Sequence, residues 1–334
     1  MVPALEALGA KHITLPLTAK SPFALWRNAA ALTALAGLAQ AEGVALIHAR
    51  SRAPAWSALI AARRLGLPFV TTYHGAYNEG FPGKRFYNSV MARGDRVIAI
   101  SHFIADLIRT RHGVAEARLR VIPRGVDPRR FDPALVSPER LAALRAAWGL
   151  PEGRPIIMLP ARVTRWKGQM VLVEAMSQLP GDSLALLVGD AAERPAFQAE
   201  LLGRIASLGL QDRVRLVGHA NDMPAALMLA NVVIHASTDA EAFGRTVIEA
   251  QAMARPVIAS DLGAPRETVA EGITGWRIPP GDAAALAEAI GKALALPPSE
   301  RAALGARARA AVLSGYTTEA MQAATIAVYR ELIG

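Results

Sequence analysis

Short apolar segments alternate with helical segments along the whole chain, and this alternation restricts the fold more than any other feature. The predicted strands of the first half cover residues 12–17, 44–48, 69–72, 97–100 and 120–122. Those of the second half cover 156–160, 184–188, 214–217, 232–235, 257–259 and 276–278. The strands are apolar on both faces, which is typical of parallel sheets covered by helices.

A proline-rich connector divides this pattern into two series. It begins with Pro123-Arg-Gly-Val-Asp-Pro128, and Pro133 and Pro138 follow. Two such series predict an α/β protein with two doubly wound domains facing a cleft. The expected segments are a first domain at 1–127, a connector and helix at 128–150, a second domain at 151–315, and a C-terminal helix at 316–334 that could pack back on the first domain.

Positive charge is concentrated in the first half. Residues 1–150 contain 20 Lys and Arg against 9 Asp and Glu, whereas residues 151–334 contain 17 against 19. A basic domain can attract an anionic substrate or a membrane surface, or it can simply keep an arginine-rich protein soluble. The basic residues are dispersed and no nucleic-acid-binding motif is present, so we expect no nucleic-acid partner.

Composition excludes several classes of site. Cysteine is absent, which rules out disulfides, thiolate metal sites and a cysteine nucleophile. No histidine–carboxylate set has metal-site spacing, so we expect no metal. The longest uncharged segment, 223–238, is too short to span a bilayer, and the N-terminus lacks the pattern of a secretory signal. We expect a cytoplasmic protein that could also contact the inner face of the cell membrane peripherally.

Two carboxylates flank a glycine in Glu241-Ala-Phe-Gly-Arg-Thr-Val-Ile-Glu249. A predicted strand precedes this segment and a helix begins within it. Glu241 is therefore expected in a loop at the carboxyl end of a strand, and Glu249 within the helix. Free backbone N–H groups at the helix start can meet an anion. One carboxylate near the reacting end of a nucleotide and the other near its ribose would use this geometry.

Three cations, Arg162, Arg165 and Lys167, follow strand 156–160 and precede Gly168. A guanidinium beside an ammonium can surround a pyrophosphate. A solvated loop with scattered charges is the alternative interpretation.

Two further strand ends carry polar residues. His74 follows strand 69–72 in a loop with two tyrosines that suits a hydroxyl-rich ligand, although a lone histidine is usually structural. Gly218 and His219 follow strand 214–217 and could support a nucleobase. An ordinary turn capped by Asn221 or Asp222 would explain that second segment equally well.

Taken together, these residues resemble the retaining GT-B glycosyltransferases of family 4, over most of the chain and most closely from 121 to 278. The spacing of Glu241 and Glu249 is the most specific part. The resemblance implies two Rossmann-like domains, the first binding the acceptor and the second the nucleotide sugar. It implies no metal and no cofactor beyond the donor itself. The other matching segments are Arg162 to Gly168, the Ile122-Pro-Arg-Gly-Val-Asp127 connector, His74 and the turn at 272–275.

The resemblance also implies roles on the donor side. Arg162 and Lys167 would bind the donor diphosphate. Glu249 would hydrogen-bond the ribose, and Glu241 would lie near the donor sugar.

Further implied roles concern the sugar and the leaving phosphate. Backbone amides around Phe243, Gly244 and Arg245 would help to hold the sugar or phosphate. His74 would reach across the cleft from the first domain to the sugar or the leaving phosphate.

The chain departs from the family pattern in two respects. Ala161 and Ala242 stand where glycine is common. A predicted helix at 2–9 precedes strand 12–17, whereas the family opens with a strand and a Gly-rich loop. We therefore expect the first β-α unit to be missing and the first sheet to lack a strand.

The sequence thus predicts a retaining, metal-independent glycosyltransferase. The basic first half suggests an anionic acceptor such as a lipid-linked or lipopolysaccharide intermediate of the cell envelope. Another enzyme of the same fold is an alternative: an epimerase, for which no convincing acid–base groups are found, or a phosphorylase, which would depend on free phosphate. A non-catalytic nucleotide-sugar-binding remnant is the other alternative.

Overall fold

The computed structural model describes residues 6–14, 25–80 and 83–334, with the backbone alone for residues 25–32. The chain divides into two units. The first contains Met1–Ile100, Ile104–Ile122 and Thr325–Gly334, and the second contains Ser101–Phe103 and Pro123–Ala324. Each unit has one parallel sheet with helices, which confirms the predicted α/β class.

The sheet of the first unit has four parallel strands in sequential order among the described residues. Its elements are α1 (Leu25–Ala41), β1 (Ile47–Ala49), α2 (Arg52–Leu65), β2 (Phe69–Tyr73), α3 (Lys84–Ser89), β3 (Arg96–Ala99), α4 (His102–His112) and β4 (Leu119–Val121).

The second unit has six parallel strands in the order β10-β9-β8-β5-β6-β7. Its elements are α5 (Pro138–Ala147), β5 (Ile156–Pro160), α6 (Gln169–Gln178), β6 (Leu184–Val188), α7 (Pro195–Ser207), β7 (Val214–Gly218), α8 (Met223–Leu229), β8 (Val232–His235), α9 (Arg245–Ala252), β9 (Val257–Ser260), α10 (Pro265–Thr268), β10 (Trp276–Ile278), α11 (Ala283–Ala295) and α12 (Pro298–Gly315). The final helix, α13 (Thr318–Ile333), begins in this unit and ends in the first.

Burial explains why the strands of the second unit are continuous apolar runs. Every residue of β5, β6, β8 and β9 is buried. These central strands pack against helices, so no face of them is exposed to water and no alternation of polar residues is needed. Only the edge strands β7 and β10 are partly exposed.

Some predicted elements differ from the structure. Residues 12–14 of the predicted strand 12–17 are exposed and belong to no strand, while residues 15–17 lie outside the described residues. Glu6 is helical, residues 7–9 form a turn, and the rest of the predicted helix at 2–9 lies outside the described residues. The helix α3 begins at Lys84, directly after Gly83 with its φ of +83°, and a 3-10 turn at Val90–Ala92 follows it.

The boundary between the units falls at Ile122, five residues before the predicted end of the first domain. The reason is a short parallel bridge between Val126 and Thr317 within the second unit. The Val126 N–H donates to the Tyr316 carbonyl at 2.9 Å, which fixes the connector to the chain before α13.

The end of α13 belongs to the first unit. Its Glu331 carboxylate accepts hydrogen bonds from Arg96 at 2.8 Å and from Arg120 at 2.7 Å. The Tyr329 hydroxyl lies 2.6 Å from His48 Nδ1. Within the described ranges, no helix combines the length and the apolar character needed to cross a membrane.

Candidate active site

The candidate residues of the second unit follow the carboxyl ends of its strands. β5 and β8 are adjacent and parallel, with Ile157 paired to Val232. The loop after β5 carries Lys167, and the loop after β8 carries Glu241. Because neighbouring parallel strands end at the same edge of a sheet, the loops that carry Lys167 and Glu241 begin next to each other.

Gly168 allows these two loops to touch. Its φ is +79°, and a Cβ added there would lie 1.9 Å from the carbonyl oxygen of Ala236. The Thr238 N–H donates to the Trp166 carbonyl at 2.8 Å. Only glycine fits, because it accepts a positive φ and has no Cβ. The contact brings Lys167 beside the loop that carries Glu241.

We expect Gly168→Ala to lower the free energy of unfolding by more than ~2 kcal/mol, because the strain of a positive φ adds to a backbone clash. Gly153→Ala is the matched control. Its φ is +75°, but a Cβ there would meet nothing within 4 Å, so only the conformational cost remains. Urea denaturation measures both changes. Equal losses in the two variants would show that the contact with Ala236 is unimportant.

The Lys167 ammonium and the Glu241 carboxylate form a sheltered ion pair. Nζ lies 2.6 Å from Oε2, and the two side chains are only 15% and 17% exposed. The Ser237 hydroxyl donates to the same oxygen at 3.2 Å. The ammonium also lies 4.2 Å from the centroid of the Trp166 ring. Charge and ring together fix the position of the lysine at the strand edge.

His235 is a third neighbour of Glu241 that the sequence analysis missed. It is the last residue of β8, its side chain is 4% exposed, and Nε2 lies 3.3 Å from Glu241 Oε2. Among the described residues, neither Nδ1 nor Nε2 makes a hydrogen bond, so the contact with Glu241 is a close polar approach. A polar residue ending an otherwise apolar strand, six positions before Glu241, was the available signal.

These neighbours control the ionisation of Glu241. Burial alone would raise the pKa of its carboxyl group. The adjacent imidazole of His235 and the ammonium of Lys167 outweigh burial and lower the pKa to about 2. Glu241 is therefore a carboxylate near neutral pH, able to accept hydrogen bonds but not to donate a proton.

Glu249 lies inside α9 in a different environment. Burial raises the pKa of its carboxyl group, and the charge of Arg245 opposes that shift. The Arg245 guanidinium is exposed and donates to Glu249 Oε1 at 2.9 Å. In this pair, the arginine is therefore exposed to solvent and the glutamate is largely buried.

Phe243 and Gly244 shape the start of α9. Gly244 has a φ of +79°, and a Cβ there would lie 3.2 Å from Pro265 Cγ. Phe243 is 4% exposed and its ring centroid lies 6.1 Å from that of Tyr316. The phenyl ring is thus part of the core. Only the backbone amides of this segment are available to a ligand, as at any helix start.

The three cations after β5 do not act as one cluster. Arg165 pairs with Glu200 and lies 5.2 Å from the centroid of the Phe197 ring. Arg162 is exposed, and no described residue hydrogen-bonds or pairs with its guanidinium. Its carbonyl accepts from Gln169 Nε2 at 2.9 Å. The pair left for an anionic ligand is Arg162 and Lys167.

Gly218 and His219 lie at the end of β7, and both are exposed. The Gly189 N–H donates to the Gly218 carbonyl at 2.8 Å, which fixes the turn. Asp222 is the N-cap of α8, since its carboxylate accepts from the Ala225 N–H at 3.2 Å. The predicted cap is therefore confirmed for Asp222, and contact of Gly218 and His219 with a nucleobase stays a prediction.

His74 belongs to the first unit, where it follows β2 and is half-buried. Its backbone N–H donates to the Tyr77 hydroxyl at 3.3 Å. The Arg52 guanidinium lies 4.1 Å from the centroid of the Tyr77 ring and holds this loop. The reach of His74 towards a donor stays a prediction.

Two family models match the chain. Residues 142–311 match glycosyl transferases group 1, and residues 6–130 match glycosyltransferase family 4. A D-inositol 3-phosphate glycosyltransferase of Xylanimonas cellulosilytica is 33% identical over 275 residues, which are 75% of this chain and 64% of that protein. The chain therefore spans slightly less than two thirds of this curated relative.

Solved structures are similar over nearly the whole chain. A glycosyltransferase from Rickettsia africae is 35% identical with a TM-score of 0.91, and the match covers 99% of this chain and 87% of that one. Anabaena HepE, in a complex with UDP-glucose, is 25% identical with a TM-score of 0.84 and coverage of 98% and 88%.

Proposed function

Because the chain belongs to the group 1 glycosyl transferases, in glycosyltransferase family 4 and with the GT-B fold, we propose that it transfers a sugar from a nucleoside-diphosphate donor to an acceptor with retention of the anomeric configuration. One observation carries the proposal. It is the sheltered ion pair of Lys167 and Glu241 at the carboxyl ends of β5 and β8, where an α/β sheet binds its ligands.

In the proposed reaction, the bond between the sugar C1 and the diphosphate oxygen breaks, and its electrons stay on the diphosphate. A bond then forms between C1 and an acceptor oxygen, whose proton passes to the departing diphosphate oxygen. Negative charge therefore grows on the diphosphate. Lys167 and the unpaired Arg162 would stabilise it, the first as a compact ammonium and the second as a planar guanidinium. Backbone amides at Phe243, Gly244 and Arg245 would add donors at the start of α9.

The remaining groups would place the donor. Glu241 stays ionised, so its free oxygen can accept a sugar hydroxyl while the other holds Lys167 in position. Glu249 would accept from the ribose hydroxyls, and Gly218 and His219 would support the base. His74 would approach the sugar or leaving phosphate from the first unit.

We propose that the acceptor is anionic and belongs to the cell envelope, such as a lipid-linked or lipopolysaccharide intermediate. The excess of basic residues in the first half supports this choice. The proposed location is the cytoplasm, with peripheral contact to an anionic membrane and no nucleic-acid partner.

The test is a set of nucleotide sugars incubated with candidate acceptors, with product configuration read by NMR. We expect release of nucleoside diphosphate with a retained anomeric centre, and undiminished release in excess chelator, because side-chain cations replace a metal. An inverted product, or loss of turnover in chelator that added metal restores, would contradict these points. Turnover that requires free phosphate would favour a phosphorylase, and binding without turnover would favour a non-catalytic remnant.

A further inference from the structure

We propose that α2 and the segment from α3 to Arg93 form a surface that docks on an anionic lipid bilayer. We call it the aromatic–arginine face, defined by Trp56, Ile60, Arg63, Phe86 and Arg93. The inference rests on the membrane contact proposed above and assigns it to particular residues. All five lie in the first unit.

The apolar part of this face is a pair of stacked rings. Trp56 and Phe86 have ring centroids 5.1 Å apart at an interplanar angle of 25°. Phe86 is nevertheless 64% exposed, and Ile60, one helical turn after Trp56, is 41% exposed. The indole N–H donates to the Tyr87 carbonyl at 3.2 Å, which holds the ring pair on α3. A stacked aromatic pair with a half-buried indole and an exposed phenyl ring suits the boundary between water and lipid.

The pattern of α2 explains why these side chains face outwards. Small residues, Ala55, Ala58 and Ala62, are buried on the side that packs on the sheet. Trp56, Ile60 and Arg63 repeat at helical spacing on the opposite side. The largest apolar residues of the helix thus lie on the face that the core does not use.

The charges around the rings are basic. The Arg93 guanidinium lies 4.9 Å from the Trp56 ring centroid and 5.4 Å from that of Phe86, and no carboxylate of the described residues pairs with it. The segment 80–94 contains Lys84, Arg85 and Arg93 and no acidic residue. A cation resting on an exposed ring can meet a lipid phosphate while the ring enters the interface.

An open cavity of about 770 Å³ shares Arg63 and Arg93 with this face. Arg63, Arg93 and Arg118 line it, and Asp95 is the one acidic residue of its lining. Arg63 pairs with Asp95 at 3.0 Å, so two guanidinium charges stay unbalanced by a carboxylate. A phosphate headgroup is the lipid group that this excess favours.

The small size of the apolar part favours a bilayer over a protein partner. A stable protein interface buries roughly 800 Å² on each side around a hydrophobic centre. Peripheral membrane binding needs only a few inserted aromatic or aliphatic side chains, with about 1 kcal/mol added by each nearby Lys or Arg. The aromatic–arginine face, with its two aromatic rings, one isoleucine and two arginines, has the composition of a peripheral membrane-binding surface.

The test is flotation of the full chain with phosphatidylcholine vesicles containing about 30 mol % phosphatidylglycerol, against pure phosphatidylcholine. We expect binding to the anionic vesicles alone, weakening as salt rises. Phe86→Ser with Arg93→Gln should lower the partition coefficient at least ~10-fold. The matched control is Leu202→Ser with Arg194→Gln in the second unit, where Leu202 is 46% exposed, and it should bind normally.

Several outcomes would overturn the proposal. These are equal binding of the two double variants, equal binding to neutral vesicles, and self-association without vesicles that the Phe86 and Arg93 changes abolish. Displacement of the protein from the vesicles by equimolar glycerol phosphate would also do so, since the site would then prefer a soluble phosphate. Nucleotide binding is measured on the same samples. Nucleotide binding without flotation would reject the face alone, and flotation without nucleotide binding would reject the proposed function alone.

Discussion

Lys167→Ala is expected to lower kcat/KM for sugar transfer by about 100-fold or more. The variant loses the ammonium closest to the growing charge of the leaving diphosphate, and Arg162 alone would remain. It also leaves the Glu241 carboxylate, whose side chain is only 17% exposed, without its ammonium partner. Initial rates of nucleoside diphosphate release, together with a thermal unfolding curve, measure both effects.

Lys292→Ala provides the matched control for this prediction. Lys292 and Glu288 also lie 2.6 Å apart, but their side chains are 65% and 68% exposed. Removing that surface pair should change neither transfer nor stability appreciably, because solvent screens it. Normal turnover by a folded Lys167→Ala protein would contradict the assigned role, and so would an equal loss in both variants.

Glu241→Gln should reduce transfer by about 100-fold as well, because the amide keeps the shape but removes the charge that positions Lys167. Combining Glu241→Gln with Lys167→Met should recover part of the lost stability, since no charge is then left unpaired, but it should recover no activity. Recovery of transfer in the double variant would mean that neither charge takes part in the reaction.

The pH dependence of stability tests the Glu241 environment directly. The folded pKa of about 2 lies below the ordinary value of 4.5, so the ionised carboxylate stabilises the protein above pH 4.5. That contribution is lost as the pH falls from 4.5 towards 2. The stability difference between the native protein and Glu241→Gln should shrink across this window.

His235→Val offers an independent check on the same window. It removes the imidazole that opposes the effect of burial, so the pKa of Glu241 should rise towards its ordinary value of 4.5, and the stability lost between pH 4.5 and 2 should be smaller than in the native protein. An unchanged acid transition in this variant would show that His235 does not act on Glu241.

Much of the architecture of the second unit was predictable because its central strands are fully buried. β5 and β6 coincide with the predicted segments 156–160 and 184–188, since a strand covered on both faces is an uninterrupted apolar run. Residues 12–14 were predicted as part of a strand on the same apolar pattern, but they are exposed and make no sheet contact.

The spatial order of the strands in the second unit follows from the predicted doubly wound class, not from the individual apolar segments. β8 lies next to β5, although β6 and β7 come between them in the sequence. That adjacency is what joins the loops of Lys167 and Glu241. The close approach of the two loops also needs the contact of Gly168 with Ala236, which is remote in the sequence and could not be predicted from it.

The candidate site was likewise predictable only in part. The spacing of Glu241 and Glu249 and the position of Lys167 could be interpreted from sequence, since each follows a strand. The different environments of Arg162 and Arg165 could not be predicted, because only Arg165 forms an ion pair with Glu200 on α7. His235 was also missed, because the available signal, a histidine that ends an apolar strand, is shared by histidines that only fill the core.

The most direct test of the central claim is release of nucleoside diphosphate from a panel of nucleotide sugars, UDP-glucose included, by the native chain beside Lys167→Ala. We predict that at least one donor is turned over to a glycosylated acceptor with retention, and that the variant binds that donor more weakly and turns it over at least ~100-fold more slowly. A folded native protein that neither binds nor turns over any nucleotide sugar would contradict the account.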